Sequence, residues 1–323
     1  MSYFYYLWHR NDAATTIFHY ICDSKVTIFF QSVAMNVILF SRKQVNHHAD
    51  QLREMFDAIT HLGMEYTINE EFAEVVEALL GVTIEAAKRF SGRAEFKGDD
   101  VMITYGGDGT LLEGVQRLPN FNTPVVGINC GRLGYLTVDN GDGITQLFER
   151  IANNAVDYQK RSMLCVESSA IDGGRCLALN ELTIHRHGAT MISIDTFVGG
   201  KKVSTYHGDG LVVSTPTGST AYSLSVGGPI VDPMCRCFIL SPLAPHNLTM
   251  RPVVIPDSVD VELHLMSRGC EAFLSADNRT YRLGDGERIS IRLAEKMLIL
   301  ATPHNNTFYD TLRKKMMWGV DHR

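Results

Sequence analysis

Between residues 35 and about 136 the apolar positions switch from short continuous runs to three- and four-residue spacing and back. Asn36–Phe40 reads as a buried strand, and Ala49, Leu52, Phe56, Ile59 and Leu62 then mark one face of a helix that Gly63 stops. Phe72, Val75, Val76, Leu79 and Leu80 mark a second helix. Val101–Tyr105 is a short apolar strand running straight into glycines, and residues 124–129 form another that ends at Gly131. Strands and helices alternating at these lengths predict a parallel sheet with covered faces.

Beyond about residue 138 the period becomes two. Residues 193–198 and 202–206 flank Gly199-Gly200, which suits a two-residue hairpin turn. Val259, Val261, Leu263 and Leu265 alternate with Asp260, Glu262 and His264, and Ile289, Ile291 and Leu293 alternate with Ser290 and Arg292. Such alternation predicts half-buried antiparallel strands. The period is helical again over 306–318, a segment expected to pack back on the first domain. The chain therefore reads as an extension over 1–34, an α/β domain with a parallel sheet over 35–137, a mostly antiparallel β domain over 138–300 and a helical C-terminal segment over 301–323. No repeat or low-complexity linker separates the two domains, so a substantial shared interface is expected.

Residues 1–34 are rich in aromatics, with apolar runs over 3–8 and 26–30. Neither run approaches the about 18 apolar residues of a membrane span. With no basic leader and no small-residue cleavage site, a signal peptide is not expected either. The first regular domain signal starts at Met35, so translation is expected to start there, with 1–34 outside the natural product. The length of 323 residues suits about two domains. With 45% hydrophobic and 20% charged residues, a disordered tail, a collagen-like chain and a coiled coil are excluded. The net charge of -6 points to neither a nucleic-acid nor a membrane partner, so any phosphate must be gripped locally. Seven scattered cysteines suit a reducing cytosol, and Cys235 and Cys237, lacking a second pair at metal spacing, read as buried small residues.

The densest chemical signal is Tyr105-Gly106-Gly107-Asp108-Gly109-Thr110, at a strand end where open α/β sheets bind ligands. Gly106, Gly107 and Gly109 permit positive φ and clear side chains away from backbone N–H groups that can face phosphate. Thr110 can open a helix whose N-terminus favours anions. Asp108 is the one carboxylate amid this anion-friendly backbone. It orients and accepts the proton of an attacking hydroxyl, helps hold a magnesium ion, or simply caps a helix in a tight turn.

Further along, Asp209-Gly210 leads through a strand into Ser214-Thr215-Pro216-Thr217-Gly218-Ser219-Thr220-Ala221-Tyr222. This hydroxyl-dense loop offers short donors and acceptors to a base or ribose, with Ala221 leaving room for a flat ring. The same residues also read as a Ser/Thr turn with Tyr222 in the core. Asn180-Glu181, at a strand start, can bind the vicinal hydroxyls of a ribose, the carboxylate accepting both. By itself this dipeptide is common by chance. In the glycine-rich stretch from Gly127 to Leu136, Arg132 either meets phosphate or lies on the surface.

Taken in order, these residues resemble the NAD kinase family. The resemblance rests on Gly106-Gly107-Asp108-Gly109-Thr110, the stretch from Gly127 to Leu136, Asn180-Glu181, and the stretch from Asp209 to Tyr222 followed by Gly227-Gly228-Pro229. Pro245-His246, Leu248 and Arg251-Pro252 complete it, so that it spans the chain from Met35 to the late 290s. Diacylglycerol, sphingosine and phosphofructo-kinases look alike at the first motif; the loop from Thr215 to Tyr222 together with Asn180-Glu181 narrows the choice. A lipid kinase would also need an apolar acceptor pocket and usually a basic surface, whereas this chain is acidic.

The resemblance implies an α/β domain, a β-sandwich domain and a C-terminal return to the first domain. It also implies ATP-dependent phosphorylation of the adenosine ribose 2′-hydroxyl of NAD, giving NADP. Asp108 would be the proton acceptor, Asp108 and Gly109 would touch the dinucleotide, and Gly106, Gly107 and Thr110 would form the phosphate loop. Asn180 and Glu181 would bind ribose hydroxyls, Asp209 would make a polar contact, and Thr220, Ala221, Tyr222, Ser223, Leu224 and Ser225 would line the adenine and ribose. Magnesium or another divalent cation would come with ATP, without a fixed metal site. The implied partners are NAD and ATP in a cytoplasmic homodimer or homotetramer, its sites completed by a neighbouring subunit. His207 stands where some members carry Arg, and Asp277-Asn278-Arg279 loosely matches a family loop written Asp-Gly-Gln.

Overall fold

The computed structural model describes residues 35–95, 100–118, 121–131, 134–138, 143–267, 269–304 and 307–317. The segment 1–34 and Arg132 lie outside them. Alternate side chains of Asn36–Phe40 enter opposite cores: Val37 and Leu39 pack with Leu52, Met55 and Phe72 on one face, and Ile38 packs with Leu111 and Val115 on the other. A strand buried on both faces needs a continuous apolar run, which is what Asn36–Phe40 and Val101–Tyr105 supply.

The sheet they found runs Arg89–Phe90, Glu65–Asn69, Asn36–Phe40, Val101–Tyr105, Val125–Ile128, Leu298–Pro303 and Val156–Arg161, with Thr137–Val138 pairing off Val125–Ile128. Every pairing in it is parallel except the last, between Leu298–Pro303 and Val156–Arg161. Both predicted helices are present. Ala49–His61 is followed by Gly63 at φ 62°, and Glu70–Leu80 opens on Asn69, whose side chain accepts the Phe72 N–H, and closes on Gly81 at φ 68°. In both cases a glycine takes the left-handed conformation that ends a helix cheaply.

The change of architecture predicted at 137/138 comes later in the chain. The helix Ile144–Ala152 still packs in the first core through Leu147 and Phe148, and Val156–Arg161 and Leu298–Pro303 complete the first sheet. Val156–Arg161 is an edge strand that buries only its two end residues, so it lacks the apolar run that marks Asn36–Phe40 and Val101–Tyr105.

The β region consists of two six-stranded antiparallel sheets. One centres on Glu181–His187 between Gly210–Ser214 and Glu271–Ala276, the other on Val261–Met266 between Ile192–Val198 and Arg288–Leu293. Their inner faces meet through Leu182, Ile184, Leu211, Val213, Ile194 and Leu263. The predicted hairpin is closed by Gly199 at φ 56° and Gly200 at φ 74°, both positive as the favoured two-residue turn demands. Met163, Cys165 and Leu179 of this region share a third core with Leu111, Leu118 and Leu136 of the α/β region. The chain returns to the first domain through Leu298–Pro303. The last helix, Phe308–Met316, is started by a capping box between Thr307 and Asp310.

Candidate active site

The strand Val101–Tyr105 delivers the glycine turn, whose first two glycines have different tasks. At Gly106 φ is 152° and a Cβ would lie 2.4 Å from Thr110 Oγ1, so both conformation and space require glycine. Gly107 begins the helix Asp108–Gln116, its carbonyl accepting the Thr110 and Leu111 N–H groups at 2.9 and 3.2 Å. No atom of the described residues, chain neighbours aside, lies within 4 Å of where a Gly107 Cβ would sit, so among them this side of the turn is open.

Asp108 points across to the 134–136 segment. Its Oδ2 accepts the Tyr135 N–H at 2.8 Å and its Oδ1 the Leu136 N–H at 3.0 Å. A Cβ on Gly134 would lie 1.9 Å from Oδ1, so the carboxylate is fitted against bare backbone. Two of its about four lone-pair positions remain for a hydroxyl. Two cations that sequence reading missed flank this turn. Arg42 Nε donates to Thr110 Oγ1 at 3.2 Å, and Lys315 Nζ lies 4.0 Å from Asp108 Oδ2 and 4.2 Å from the Tyr135 ring centroid.

The second half of the site is built on the start of Glu181–His187. Thr215 donates its N–H to the Asn180 carbonyl at 2.9 Å and its hydroxyl to the Leu179 carbonyl at 2.6 Å, which folds the hydroxyl-rich loop onto Asn180-Glu181. From the other side, the Asp277 carboxyl group accepts the N–H groups of Leu179, Asn180 and Glu181 at 2.7, 2.9 and 3.2 Å. With their backbone thus held, Asn180 Oδ1 and Glu181 Oε2 are buried without hydrogen-bond partners among the described residues. Burial, with the nearby Asp277 adding to it, pushes the Glu181 carboxyl up to about 8 against the pull of the Tyr222 N–H. Asp277 is also raised by burial, an effect its three N–H donors oppose.

Asn278 joins the two halves by donating its side-chain N–H to the Gly109 carbonyl at 3.0 Å. The loosely matching Asp277-Asn278-Arg279 stretch thus belongs to the site: Asp277 holds Asn180-Glu181, Asn278 reaches the glycine turn, and Arg279 donates to the Leu177 carbonyl.

The hydroxyl-rich loop divides its residues. Thr215, Thr217, Ser219 and Ser223 are buried. Ser219 bonds the Val231 backbone through both its donor and its acceptor, and Ser223 shares a 3.0 Å hydrogen bond with Ser241. Thr220, Ala221 and Leu224 are half-buried, and Tyr222 and Ser225 are exposed, which removes Tyr222 from the core. Asp209 is paired with Arg186 Nε at 2.6 Å, and His207 Nδ1 with the Ser193 hydroxyl at 2.8 Å. Cys237 is buried as expected, whereas Cys235 is exposed, beyond the start of the strand Cys237–Leu243. Among the described residues, no three His, Cys, Asp or Glu side chains converge on a metal position, and no helix is long and apolar enough to cross a membrane.

Two family models match the chain. Residues 12–156 match the ATP-NAD kinase N-terminal domain, starting ahead of Met35, and residues 179–301 match the ATP-NAD kinase C-terminal domain. A NAD kinase of Bacteroides fragilis is 35% identical over 288 residues, covering 88% of this chain and 97% of that protein. The chain belongs to the NAD kinase family. A NAD kinase of Gemmatimonas aurantiaca is 38% identical over 227 residues, covering 68% of this chain and 78% of that one. Among solved structures, a family member from Archaeoglobus fulgidus in complex with ATP superposes with a TM-score of 0.68 at 26% identity, covering 88% of this chain and 98% of that one. Yeast NADH kinase complexed with NADH shares the fold, with a TM-score of 0.75 at 22% identity and 92% of each chain covered.

Proposed function

We propose that the protein transfers the γ-phosphoryl group of ATP to the 2′-hydroxyl of the adenosine ribose of NAD, giving NADP, with Asp108 accepting the hydroxyl proton. The observation that carries this reading is the pair of buried polar atoms without partners among the described residues, Asn180 Oδ1 and Glu181 Oε2, tied through Asp277, Asn278 and Gly109 to the Asp108 turn. A buried polar group without a partner costs about 1–3 kcal/mol, and the vicinal hydroxyls of a ribose, which both donate and accept, would partner them. Thr220, Ala221, Tyr222, Leu224 and Ser225 then flank the adenosine, while Ser223 supports them through Ser241.

In the transfer, the ribose oxygen forms a bond to the γ-phosphorus as the bond to the ADP oxygen breaks, and the hydroxyl proton passes to Asp108. A carboxylate is a weak base at neutral pH. It suffices here because phosphoryl transfer has a loose transition state in which positioning and charge stabilisation dominate. The N–H groups of Tyr135 and Leu136 hold the acceptor oxygens still. The divalent cation belongs to the substrate, arriving on ATP and screening the phosphate oxygens. Scattered cysteines, free in all six described cases, support a cytoplasmic protein. The exposed Leu248, together with Val253 and Val254 on an edge strand, supports a homodimer or homotetramer.

The test is an assay of NADP formation from NAD and ATP, with sphingosine as the alternative acceptor. Asp108→Asn is expected to lower kcat about 100-fold or more, the scale of general-base assistance, with a smaller change in NAD affinity. Near-wild-type turnover in that variant would remove Asp108 from the chemistry.

A further inference from the structure

A basic residue in the last turn of a helix ordinarily faces water and complements the helix dipole. Arg313, in the same turn of Phe308–Met316, is accounted for in this local way by its pairing with Asp310. Lys315 is placed differently. Its ammonium sits over the Tyr135 ring at 4.2 Å from the centroid and 4.0 Å from Asp108 Oδ2. The ring contact positions the charge, since a cation is attracted to the face of an aromatic ring.

Asp108 does not depend on Lys315 for orientation, because each of its oxygens already accepts a backbone N–H. At 4.0 Å the ammonium is also beyond hydrogen-bonding distance of the carboxylate, so among the described residues its three donors remain available to another acceptor. On the proposed reading, donor phosphates approach a glycine turn with a carboxylate at its centre, and the two would repel each other. Arg42, on the helix side of the turn, already donates to Thr110 and packs 3.4 Å from where a Gly109 Cβ would lie.

We propose that Lys315 binds the terminal phosphates of the donor nucleotide and so offsets their repulsion by Asp108. The proposal rests on the reading of Asp108 as the group beside the acceptor hydroxyl. It makes the C-terminal helix part of the donor site, delivered there by the returning strand Leu298–Pro303 and fixed at its start by the Thr307 capping box.

The experiment compares Lys315→Met and Lys315→Arg with the full-length wild type, with Lys314→Met as a neighbouring control. Steady-state kinetics are combined with calorimetric binding of magnesium and a non-hydrolysable ATP analogue, and separately of NAD. Lys315→Met is expected to weaken analogue binding and raise the ATP KM at least tenfold, with NAD binding in the absence of ATP within twofold of wild type. Lys315→Arg is expected to recover most of the loss, and Lys314→Met to match wild type. Analogue binding within twofold of wild type in Lys315→Met, or equal weakening towards NAD and the analogue, overturns the proposal. The Asp108 reading fails by a different result, full turnover in Asp108→Asn, so the two outcomes are distinguishable.

Discussion

Moving Glu181 from water to the junction with Tyr222 and Asp277 disfavours its charged form, which is why its carboxyl stands at about 8. The ordinary value is 4.5, so between about 4.5 and about 8 the folded protein holds a proton that the unfolded chain has released. Stability from this group is full below the lower value and is lost as pH rises through the upper one, by an amount on the order of a few kcal/mol. Glu181→Gln keeps the shape and removes the titration. Its thermal midpoint should fall less steeply than wild type between about pH 5 and about pH 9, and exceed it at the alkaline end. NAD should bind wild type more tightly as pH rises through about 8, when the ionised carboxylate can accept both ribose hydroxyls, whereas the Gln variant should show weaker, pH-independent binding. Melting curves and NAD titrations over this range check both; an unchanged slope in the variant would locate the pH dependence elsewhere. At this scale the sequence marked Asp108 because a carboxylate stands among glycines, and it marked Asn180-Glu181, a pair common by chance, only through its place in the ordered set of motifs. It could not mark Arg42 or Lys315. Their importance comes from side chains meeting Thr110, Asp108 and Tyr135 from distant parts of the chain.

The loop after Gly210–Ser214 and the start of Glu181–His187 approach so closely that a Cβ on Gly218 would lie 2.1 Å from the Asn180 carbonyl oxygen. Both partners are backbone of buried residues, Asn180 on one side and residues 217–219 on the other, so neither can move aside like a flexible side chain. Gly218→Ala should therefore cost about 3 kcal/mol, the upper part of the usual range for overpacking. Because the displaced atom belongs to Asn180, the NAD KM should rise in the same variant. Denaturant melts and kinetics test this together: a stability loss without a change in NAD KM would mean that the loop yields and Asn180 does not. Strand and helix types were legible from period, down to the Gly199-Gly200 turn. Sheet membership was not, because the edge strand Val156–Arg161 buries only its two ends and carries none of the apolar run that marks the inner strands of the sheet it joins.

For the whole molecule, what counts is how the α/β and β regions are held in register across the site. The shared core of Leu111, Leu118 and Leu136 with Met163, Cys165 and Leu179 provides the bulk of the adhesion, since apolar burial scales with area at about 25 cal/mol per Å². The absence of any linker-like composition had predicted such an interface, although no pattern in the sequence says which residues form it. The bond from Asn278 to the Gly109 carbonyl adds little to this adhesion, because an exposed hydrogen bond is worth about 0.5–1.5 kcal/mol. Its position gives it another effect: it fixes the backbone beside Asp108 relative to Asp277, which itself fixes Asn180-Glu181. Asn278→Ala should therefore leave the thermal midpoint within a few degrees of wild type while lowering kcat several-fold, since small misplacements of reacting groups are expensive in rate. Asn278→Gln should not restore activity, because its amide sits one methylene further out. Turnover equal to wild type in Asn278→Ala would show that the shared core alone sets the distance between the two halves of the site.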